Sequence, residues 1–446
     1  MTHEHCESDV TRRRLLALSG VGTLASLAGC SGLLHGESER TVAADALADA
    51  VADDPPTVPE TLPIEIEASF VDEQRSMAES DLAAVPAPFD REEIPNGVIR
   101  ARLNDTYESA TDSIDRVGEA ETLYGRLGRA NSARVDAHQV RAAWRAIAAD
   151  LTLSDLAAEA AAVEGAIDEV LAQWSYVGDD PVRAAVVHEE IETEIQSARN
   201  WISAEPRRPP RDGDTALDVA DLAEDHERAR TSVAVASYVF DRFRTSLDAT
   251  AEQRSRFEAA RAELRERVRA RMGSLPAEDV DNPTALVDRD VGETTGVRAL
   301  ASLGSEARYR ADDALEADDG STLASSILGA ADALVYTRAF NTLRERIDGG
   351  DDVAVESVTD VAHLRADAID AVEQARTADR GELLIRAMLP WYANEIRWTD
   401  DQFERESGSV SLDSVSFDAI DYVVAAATCR AVAPVSADVA ATLRDP

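Results

Sequence analysis

The apolar residues of this chain recur at the spacing of an α-helix, and no other feature restricts the fold as much. The clearest seam alternates intervals of three and four, as packed helices do: Val219, Leu222, His226, Ala229, Val233, Ala236, Phe240, Phe243 and Leu247. From about residue 96 onward, segments of roughly 20 to 35 residues with helical patterning follow one another. The sequence therefore predicts an all-α fold of roughly ten long antiparallel helices, as stacked bundles or a solenoid.

Breaks between these segments carry helix-end signals. In GDDP (178–181), Gly178 can stop one helix, Asp180 can cap the next, and Pro181 can fill its first turn. The longest break is the Pro- and Arg-rich stretch at 205–214. We expect it to be a linker loop between a helical region at 96–204 and a second one at 215–446 packed on the first.

Before residue 96 we expect little helix, with at most one short helix in residues 31–62. Residues 30–62 are rich in Gly, Pro and acid, which predicts a flexible tether. The stretch PIEIEASFV, which begins at Pro63, alternates apolar and polar residues, and prolines follow it. We therefore predict a short strand-and-loop segment at 63–95.

Charge excludes several partners. The chain carries 86 acidic residues against 45 basic ones, a net charge of -41, and every basic residue is arginine. Such a surface repels nucleic acid and anionic membranes as whole-surface partners. It also repels itself unless salt at about 1 M shortens the Debye length to ~3 Å. The composition indicates a protein from a halophile, the alternative being an ordinary acidic protein from a GC-rich genome.

The segment at 1–29 has the layout of an export signal. Arginines 12–14 precede an apolar run from Leu15 to Ala28, which is too short to span a bilayer of ~30 Å. Small residues then lead to Cys30. Later in the chain, Asp421 and Arg430 interrupt an apolar run, so we expect no membrane span there.

Two motifs in this segment carry a resemblance. TRRRLL, with the pair Arg12 and Arg13, is similar to the twin-arginine export signal, and LAGC, ending at Cys30, is similar to a lipobox. Together they resemble the start of haloarchaeal twin-arginine-exported lipoproteins. The resemblance covers only this start, and it implies export in the folded state, lipidation of Cys30, and a location on the extracytoplasmic face of the cell membrane.

No motif of a known catalytic or cofactor site is present. Without lysine there is no P-loop lysine, Schiff-base lysine or Ser-Lys dyad, and HExxH, GxSxG, GxGxxG and EF-hand patterns are absent as well. The three cysteines, Cys6, Cys30 and Cys429, have no zinc or disulfide spacing. We therefore expect no enzyme activity, no cofactor and no resident metal; Cys429 is interpreted as a small buried hydrophobe.

Histidines and acidic loops are weak candidates for ligand or metal sites. His226 lies on the apolar seam, which favours a core histidine over a ligand or pH-sensitive group. His363 shares a helical face with Asp360 and Asp367, and these three side chains could bind a metal. The favoured interpretation is an ordinary charged face exposed to solvent. His188 with Glu192 is a weaker pair. The acidic loop DGGDD at 348–352 leaves weak calcium binding open.

Two arginine-rich segments run against the overall charge. One holds arginines at 126, 129, 134, 141 and 145 with His138, and the other spans 254–271. They can bind an anionic ligand or an acidic partner, or pair with acidic helices of the same body, which is the favoured interpretation. The stretch MLPWYANEIRW adds Trp391 and Trp398 around Pro390, which would kink or end a helix.

These observations lead to one functional expectation with alternatives. We expect a lipid-anchored extracytoplasmic helical protein that binds or scaffolds in a halophilic cell envelope, with an envelope protein as partner. The alternatives are a solute-binding protein for an anionic or aromatic small ligand and an enzyme with an unrecognised site. The candidate ligand or partner face is Arg254, Arg261, Arg265, Arg269, Trp391 and Trp398. A concave pocket of ~300 Å³ or more, lined by arginine and tryptophan, would favour solute binding.

Overall fold

The computed structural model describes residues 40–149, 151–202, 215–277, 280, 282–316 and 322–446. The predicted export signal with Arg12 and Arg13, the predicted lipidation site Cys30 and the linker at 205–214 lie outside these residues. The described residues from Arg40 to the C-terminus form one compact unit.

The all-α prediction is confirmed. The described residues form these α-helices: α1 Ala44–Val51, α2 Ala68–Ala83, α3 Gly97–Asp115, α4 Leu123–Ala148, α5 Leu153–Gln173, α6 Pro181–Trp201, α7 Thr215–Thr245, α8 Arg254–Arg271, α9 Thr295–Leu315, α10 Leu323–Asp348, α11 Val358–Arg376, α12 Glu382–Arg405, α13 Leu412–Asp418 and α14 Ile420–Arg444. The helices number about thirteen if α13 and α14, separated by one residue, are taken as one, so the expected count of ten was too low.

Strand content is small. In the described part of the chain β1 (Thr41–Ala43) pairs antiparallel with β4 (Ser409–Ser411), and β2 (Val177–Gly178) pairs antiparallel with β3 (Ala251–Glu252). Short 3-10 turns lie at Arg116–Glu119, Met272–Ser274 and Pro283–Leu286.

The helices pack as bundles around shared central helices. In the first part α4 contacts α2, α3 and α7, and α7 also contacts α5 and α6. In the second part α14 contacts α8, α9, α10, α11 and α12, and α6 joins the two parts through α10, α12 and α14. One large apolar core is formed by α1 and by α5 to α14. A smaller core lies among α2, α3, α4 and α7.

The predicted helix signals are largely confirmed. The Asp180 side chain caps α6 by accepting hydrogen bonds from the backbone N–H groups of Val182 and Arg183, both at 2.9 Å, and Pro181 opens the helix. The apolar seam of α7 is buried from Val219 to Phe243. Pro390, by contrast, does not end a helix, because α12 continues through it.

The expected strand at 63–95 was wrong. Helix α2 occupies Ala68–Ala83, and no strand lies among residues 63–95, all of which the structure describes. The alternation covers only Ile64 and Ile66, whereas Val71, Ala78 and Leu82 are buried at helical spacing. The helical period is the longer pattern, and it decides the structure.

The expected tether at 30–62 was also wrong from residue 40 onward. Strand β1 pairs with β4, and α1 buries Ala44, Leu47 and Val51 against the body, each at most 2% exposed. These three residues form one apolar stripe, so the acidic residues between them face solvent while the helix packs.

One stretch of the described chain, at its C-terminal end, meets the length and composition of a possible membrane span. The stretch Leu412–Arg444 is long and apolar enough to cross a membrane by length and composition, contrary to expectation, and 67% of its most apolar window is buried inside the protein. Its Arg430 pairs with Asp367 of α11. A buried core helix passes the same test, so this finding is weak evidence for a span.

Candidate functional site

A cleft of about 790 Å³ lies between three segments that are distant in sequence. We call it the proline cleft. Its lining residues come from the extended segment 55–60, from residues 113–132 where α3 ends and α4 begins, and from residues 390–397 of α12. Helix α12 thus presents one face to the cleft through Pro390, Ala393, Asn394 and Arg397.

Local sequence explains why the wall at 55–60 is fixed. Pro55, Pro56 and Pro59 restrict the backbone φ and supply no N–H group, which favours an extended segment. Thr122 joins this segment to α4, because its hydroxyl donates to the carbonyl of Glu60 at 2.7 Å. The same Thr122 oxygen caps α4 by accepting from the N–H of Gly125 at 3.0 Å.

The proline cleft carries arginines in different states of pairing. Arg129 Nη1 donates to the Glu119 carboxylate at 3.2 Å and to the carbonyl of Arg116 at 2.8 Å. Arg116 lies 3.8 Å from Asp112. Arg397 is exposed and forms no ion pair or hydrogen bond with any residue that the structure describes. Its guanidinium can therefore meet an anionic group of a ligand without losing an internal partner.

Acidic side chains lie beside the cleft, next to Glu60. Burial and the nearby carboxylates of Glu190 and Glu60 raise the pKa of the Tyr124 hydroxyl. Burial raises the pKa of Glu190, with a further rise from Glu60. Burial and the charge of Glu190 raise the pKa of Glu194 to about 7. The carboxyl groups of Glu190 and Glu194, beside the cleft, therefore keep their protons to higher pH than an ordinary glutamate, in Glu194 up to near-neutral pH.

A second pocket, of about 240 Å³, contains the predicted residue Arg254. It is lined by Leu171, Trp174, Glu192, Ile195, Gln196, Arg199, Arg254 and Thr322. The Arg254 guanidinium lies 4.7 Å from the centre of the Tyr176 ring. Tryptophan and arginine thus meet here, but the volume is below the threshold set for a solute site.

The N-terminus of α10 faces this pocket, and its backbone N–H groups are bound by a carboxylate side chain of the protein itself. The Glu192 carboxylate accepts from the backbone N–H groups of Ala324 at 3.0 Å and Ser325 at 2.6 Å, and from the Tyr176 hydroxyl at 2.5 Å. Burial raises the pKa of Glu192, and these hydrogen bonds counteract the rise. An internal carboxylate already occupies the position that an external anion would take.

The other predicted residues of α8 lie away from both cavities. Arg265 donates to the carbonyls of Leu315 at 2.6 Å and Glu316 at 2.9 Å at the end of α9, and Arg269 pairs with Glu266 on its own helix. Arg261 is partly buried on the same helix. Arg265 and Arg269 therefore make contacts within the protein, though with backbone carbonyls and with their own helix rather than with an acidic helix opposite.

The predicted tryptophans lie on α12 beside the proline cleft and line neither cavity. Trp391 is 55% exposed and Trp398 is 50% exposed, and their rings meet edge to face at 6.4 Å. Their sequence neighbours Pro390 and Arg397 line the cleft. The structure therefore places the tryptophans at the cleft and Arg254 in a different pocket.

Arginines of the arginine-rich segment of α4 pair with side chains of the neighbouring helices α2 and α7. Arg134 donates to Glu227 of α7 at 2.5 Å and to Gln74 of α2 at 2.6 Å. His138 and Arg141 both contact Asp81, His138 at 2.8 Å. These two partners hold the pKa of the Asp81 carboxyl below its usual value despite its burial.

The histidine alternatives are resolved by burial and neighbours. His226 is fully buried, and His363 is exposed, as expected. Asp360, in the first turn of α11, accepts from the backbone N–H of Glu356 at 3.0 Å and from the Ser357 hydroxyl at 2.9 Å, while Asp367 pairs with Arg430. In the part of the chain that is described, no group of His, Cys, Asp and Glu is arranged to hold a metal.

The acidic loop 348–352 is likewise used for internal contacts. Asp348 accepts from the backbone N–H of Asp288 at 2.8 Å. Asp351 pairs with Arg346 at 2.7 Å, and Asp352 pairs with Arg289 at 2.6 Å. Cys429 is fully buried as expected, and burial raises the pKa of its thiol to about 12.

Sequence reasoning missed two features of the site. His188 was placed in a weak metal pair with Glu192, but it is fully buried against Trp174 and Tyr176. Arg397 lay inside the aromatic stretch at 388–398 without being singled out. In the sequence, Arg397 is distinguished only by its position directly before Trp398. The fold is needed to show that its side chain faces a cleft.

Comparison with known proteins adds two matches. Residues 69–249 match a domain of unknown function (DUF8262), and residues 254–441 match a second domain of unknown function (DUF8264). The two matched ranges meet between α7 and α8. No curated protein and no solved structure matches the chain.

Proposed function

We propose that this protein is a lipid-anchored, extracytoplasmic binding protein of a halophilic cell envelope, and that the proline cleft holds its ligand. The observation that carries the proposal is the cleft of about 790 Å³ with an arginine, Arg397, that has no partner among the described residues. A cavity of this volume lies within the range of small-molecule sites. The ligand class that fits is a small solute with an anionic group.

The location rests on the sequence. The pair Arg12 and Arg13 supports twin-arginine export, and Cys30 after LAG supports lipidation. The net charge of -41 supports a lipid anchor, since such a surface does not adhere to an anionic bilayer by charge. Replacing Cys30→Ser is expected to release the protein into the medium. Retention of this variant in the membrane would contradict the anchor.

The ligand is tested by purification from native membranes in molar KCl, followed by mass spectrometry of the small molecules that denaturation releases. We expect a solute with a carboxylate, phosphate or sulfate group. Arg397→Ala should lower its recovery strongly, since a charge-assisted hydrogen bond is lost. Arg338→Ala is the matched control, because Arg338 is also exposed, forms no ion pair or hydrogen bond with described residues, and lies outside both cavities.

Two results would contradict this site. One is that neither the native protein nor a protein exposed to small carboxylates and inorganic phosphate shows any ligand or thermal stabilisation. The other is that Arg397→Ala and Arg338→Ala retain the ligand equally. A protein that co-purifies in place of a solute would favour scaffolding.

A further inference from the structure

Large aromatic side chains are exposed on the consecutive helices α12 and α13. Trp391 and Trp398 of α12 are about half exposed, and Phe417 of α13 is 64% exposed. Residues seven positions apart share a helix face, so the two tryptophans form one stripe along α12. Exposed large aromatic side chains that lie close together mark interaction surfaces, unlike scattered single ones.

Helix α13 continues this stripe. Burial raises the pKa of the Asp418 carboxyl to about 6, and the side chain of Gln402 lies close enough to counteract the rise. Gln402 lies one turn beyond Trp398 on the same face of α12. Phe417 directly precedes Asp418. We call Trp391, Trp398 and Phe417 the aromatic ridge.

The described chain also begins near the start of α13. Strand β1 pairs with β4, which follows α12 and directly precedes α13. The carbonyl of Arg40 accepts a hydrogen bond from the N–H of Leu412 at 2.8 Å. The first described residue is therefore fixed at the start of the helix that carries Phe417.

The sequence between the predicted lipid anchor and this point is short. Ten residues lead from Cys30 to Arg40, and in any conformation they reach at most about 35 Å. Trp398 precedes the end of α12 at Arg405 by seven residues, or about 10 Å of helix. An anchor at Cys30 thus joins the body between the end of α12 and the start of α13, with the ridge within reach of the bilayer surface.

We propose that the aromatic ridge rests on the bilayer that holds the Cys30 lipid, with its rings at the level of the lipid headgroups. This inference rests on the anchor in the proposed function. Tryptophan prefers the membrane–water interface, because its ring is apolar and its N–H remains hydrated. The ridge then orients the body, so that the proline cleft, on the neighbouring face of α12, opens beside the membrane surface.

Charge near the ridge limits the conditions in which it binds. Glu404 on α12 and Asp413 on α13 are exposed, and such carboxylates repel anionic headgroups. Molar salt shortens the Debye length to ~3 Å and removes most of this repulsion. The ridge should therefore bind vesicles in molar KCl and detach from anionic vesicles at low salt.

The test uses the full chain, lipidated and reconstituted in molar KCl into phosphatidylcholine vesicles with brominated acyl chains, which quench nearby tryptophans. We expect quenching that disappears in Trp391→Phe/Trp398→Phe and persists in Trp144→Phe, since Trp144 packs against Phe89. In Cys30→Ser, the double change Trp391→Ser/Trp398→Ser should weaken vesicle binding roughly tenfold or more. The control Tyr309→Ser alters an aromatic residue that is 63% exposed on α9 and should leave it unchanged.

The outcomes separate the two proposals. Mass spectrometry of Cys30 tests the anchor by itself: an unmodified Cys30 would contradict the anchor, while vesicle binding of Cys30→Ser would still support the ridge. A lipidated protein whose tryptophans are not quenched would overturn the ridge and leave the anchor intact. A protein partner cross-linked to Trp391 or Trp398 in native membranes would also overturn it. Circular dichroism in molar KCl checks that each variant is folded.

Discussion

Arg365 of α11 and Asp400 of α12 form a two-point ion pair in the core, with Nε–Oδ1 at 2.9 Å and Nη2–Oδ2 at 2.8 Å. Their side chains are 7% and 6% exposed. The Tyr422 hydroxyl of α14 also donates to Asp400, at 2.5 Å, and Arg365 donates to the carbonyl of Asp53 after α1. The pair therefore joins four parts of the chain at one buried point.

Replacing Asp400→Asn should lower the free energy of unfolding by about 3–5 kcal/mol, because it leaves a buried guanidinium without its counter-charge. The measurement is urea unfolding in molar KCl. Glu373→Gln is the matched control, since Glu373 pairs with Arg376 at 2.8 Å on the exposed surface of α11. That change should cost at most about 1 kcal/mol. Equal losses in the two variants would contradict the role of the buried pair.

Two helical glycines should respond to alanine in opposite directions. A Cβ at Gly304 in α9 would lie 2.7 Å from Cγ of Pro276 and 3.1 Å from Phe340, so Gly304→Ala should destabilise by about 1–3 kcal/mol. A Cβ at Gly329 in α10 meets no described atom within 4 Å. Gly329→Ala should therefore stabilise by up to about 1 kcal/mol, through helix propensity. Thermal unfolding of both variants tests the pair, and a stabilised Gly304→Ala would refute the close approach.

Local signals in the sequence were sufficient for the fold class. The seam from Val219 to Phe243 and the cap at Asp180 each depend on residues within one or two turns, and the structure confirms both. The segment before residue 96 was missed because its helices are short or begin after a proline. Leu47 and Val51 gain their burial from α11 and α12, which are distant in sequence.

The candidate site could not be predicted in the same way. The proline cleft brings together residues 55–60, 113–132 and 390–397, and no periodicity within one segment encodes that meeting. Charge counts alone could not tell the partnered Arg134 from Arg397, because pairing depends on which helix lies opposite. Sequence therefore indicated the residue type, arginine beside tryptophan, but not the position.

Acid should destabilise the protein through His188. Trp174 Nε1 donates to His188 Nδ1 at 3.0 Å, and His188 Nε2 then donates to the carbonyl of Val177 at 2.8 Å, so the ring is neutral. Burial lowers its pKa from 6.5 to about 4. Between these two values the unfolded chain binds a proton that the folded protein does not, so stability falls as pH falls. The loss reaches about 3 kcal/mol.

Urea unfolding between about pH 7.5 and pH 4.5 measures this loss. The variant His188→Gln should be less stable at neutral pH. Glu189 and Glu194, whose pKa burial raises to about 7, act in the opposite direction, so the quantity to compare is the difference between variant and parent: on acidification His188→Gln should lose less stability, or gain more, than the parent. His363→Gln, at an exposed position, should follow the parent. Parallel stability curves for the parent and His188→Gln would contradict the assignment.

Removal of salt should unfold the protein. The net charge of -41 is spread over a chain without lysine. Even if every arginine formed a contact such as Arg134–Glu227 or Arg310–Asp332, nearly half of the carboxylates would have no cationic partner. Below about 1 M KCl the Debye length grows past ~3 Å and the acidic helices repel one another. We expect helical circular dichroism to fall as KCl is withdrawn. Sucrose, which favours compact states without screening charge, should not restore it, and a chain that stays folded without salt would refute the halophilic interpretation.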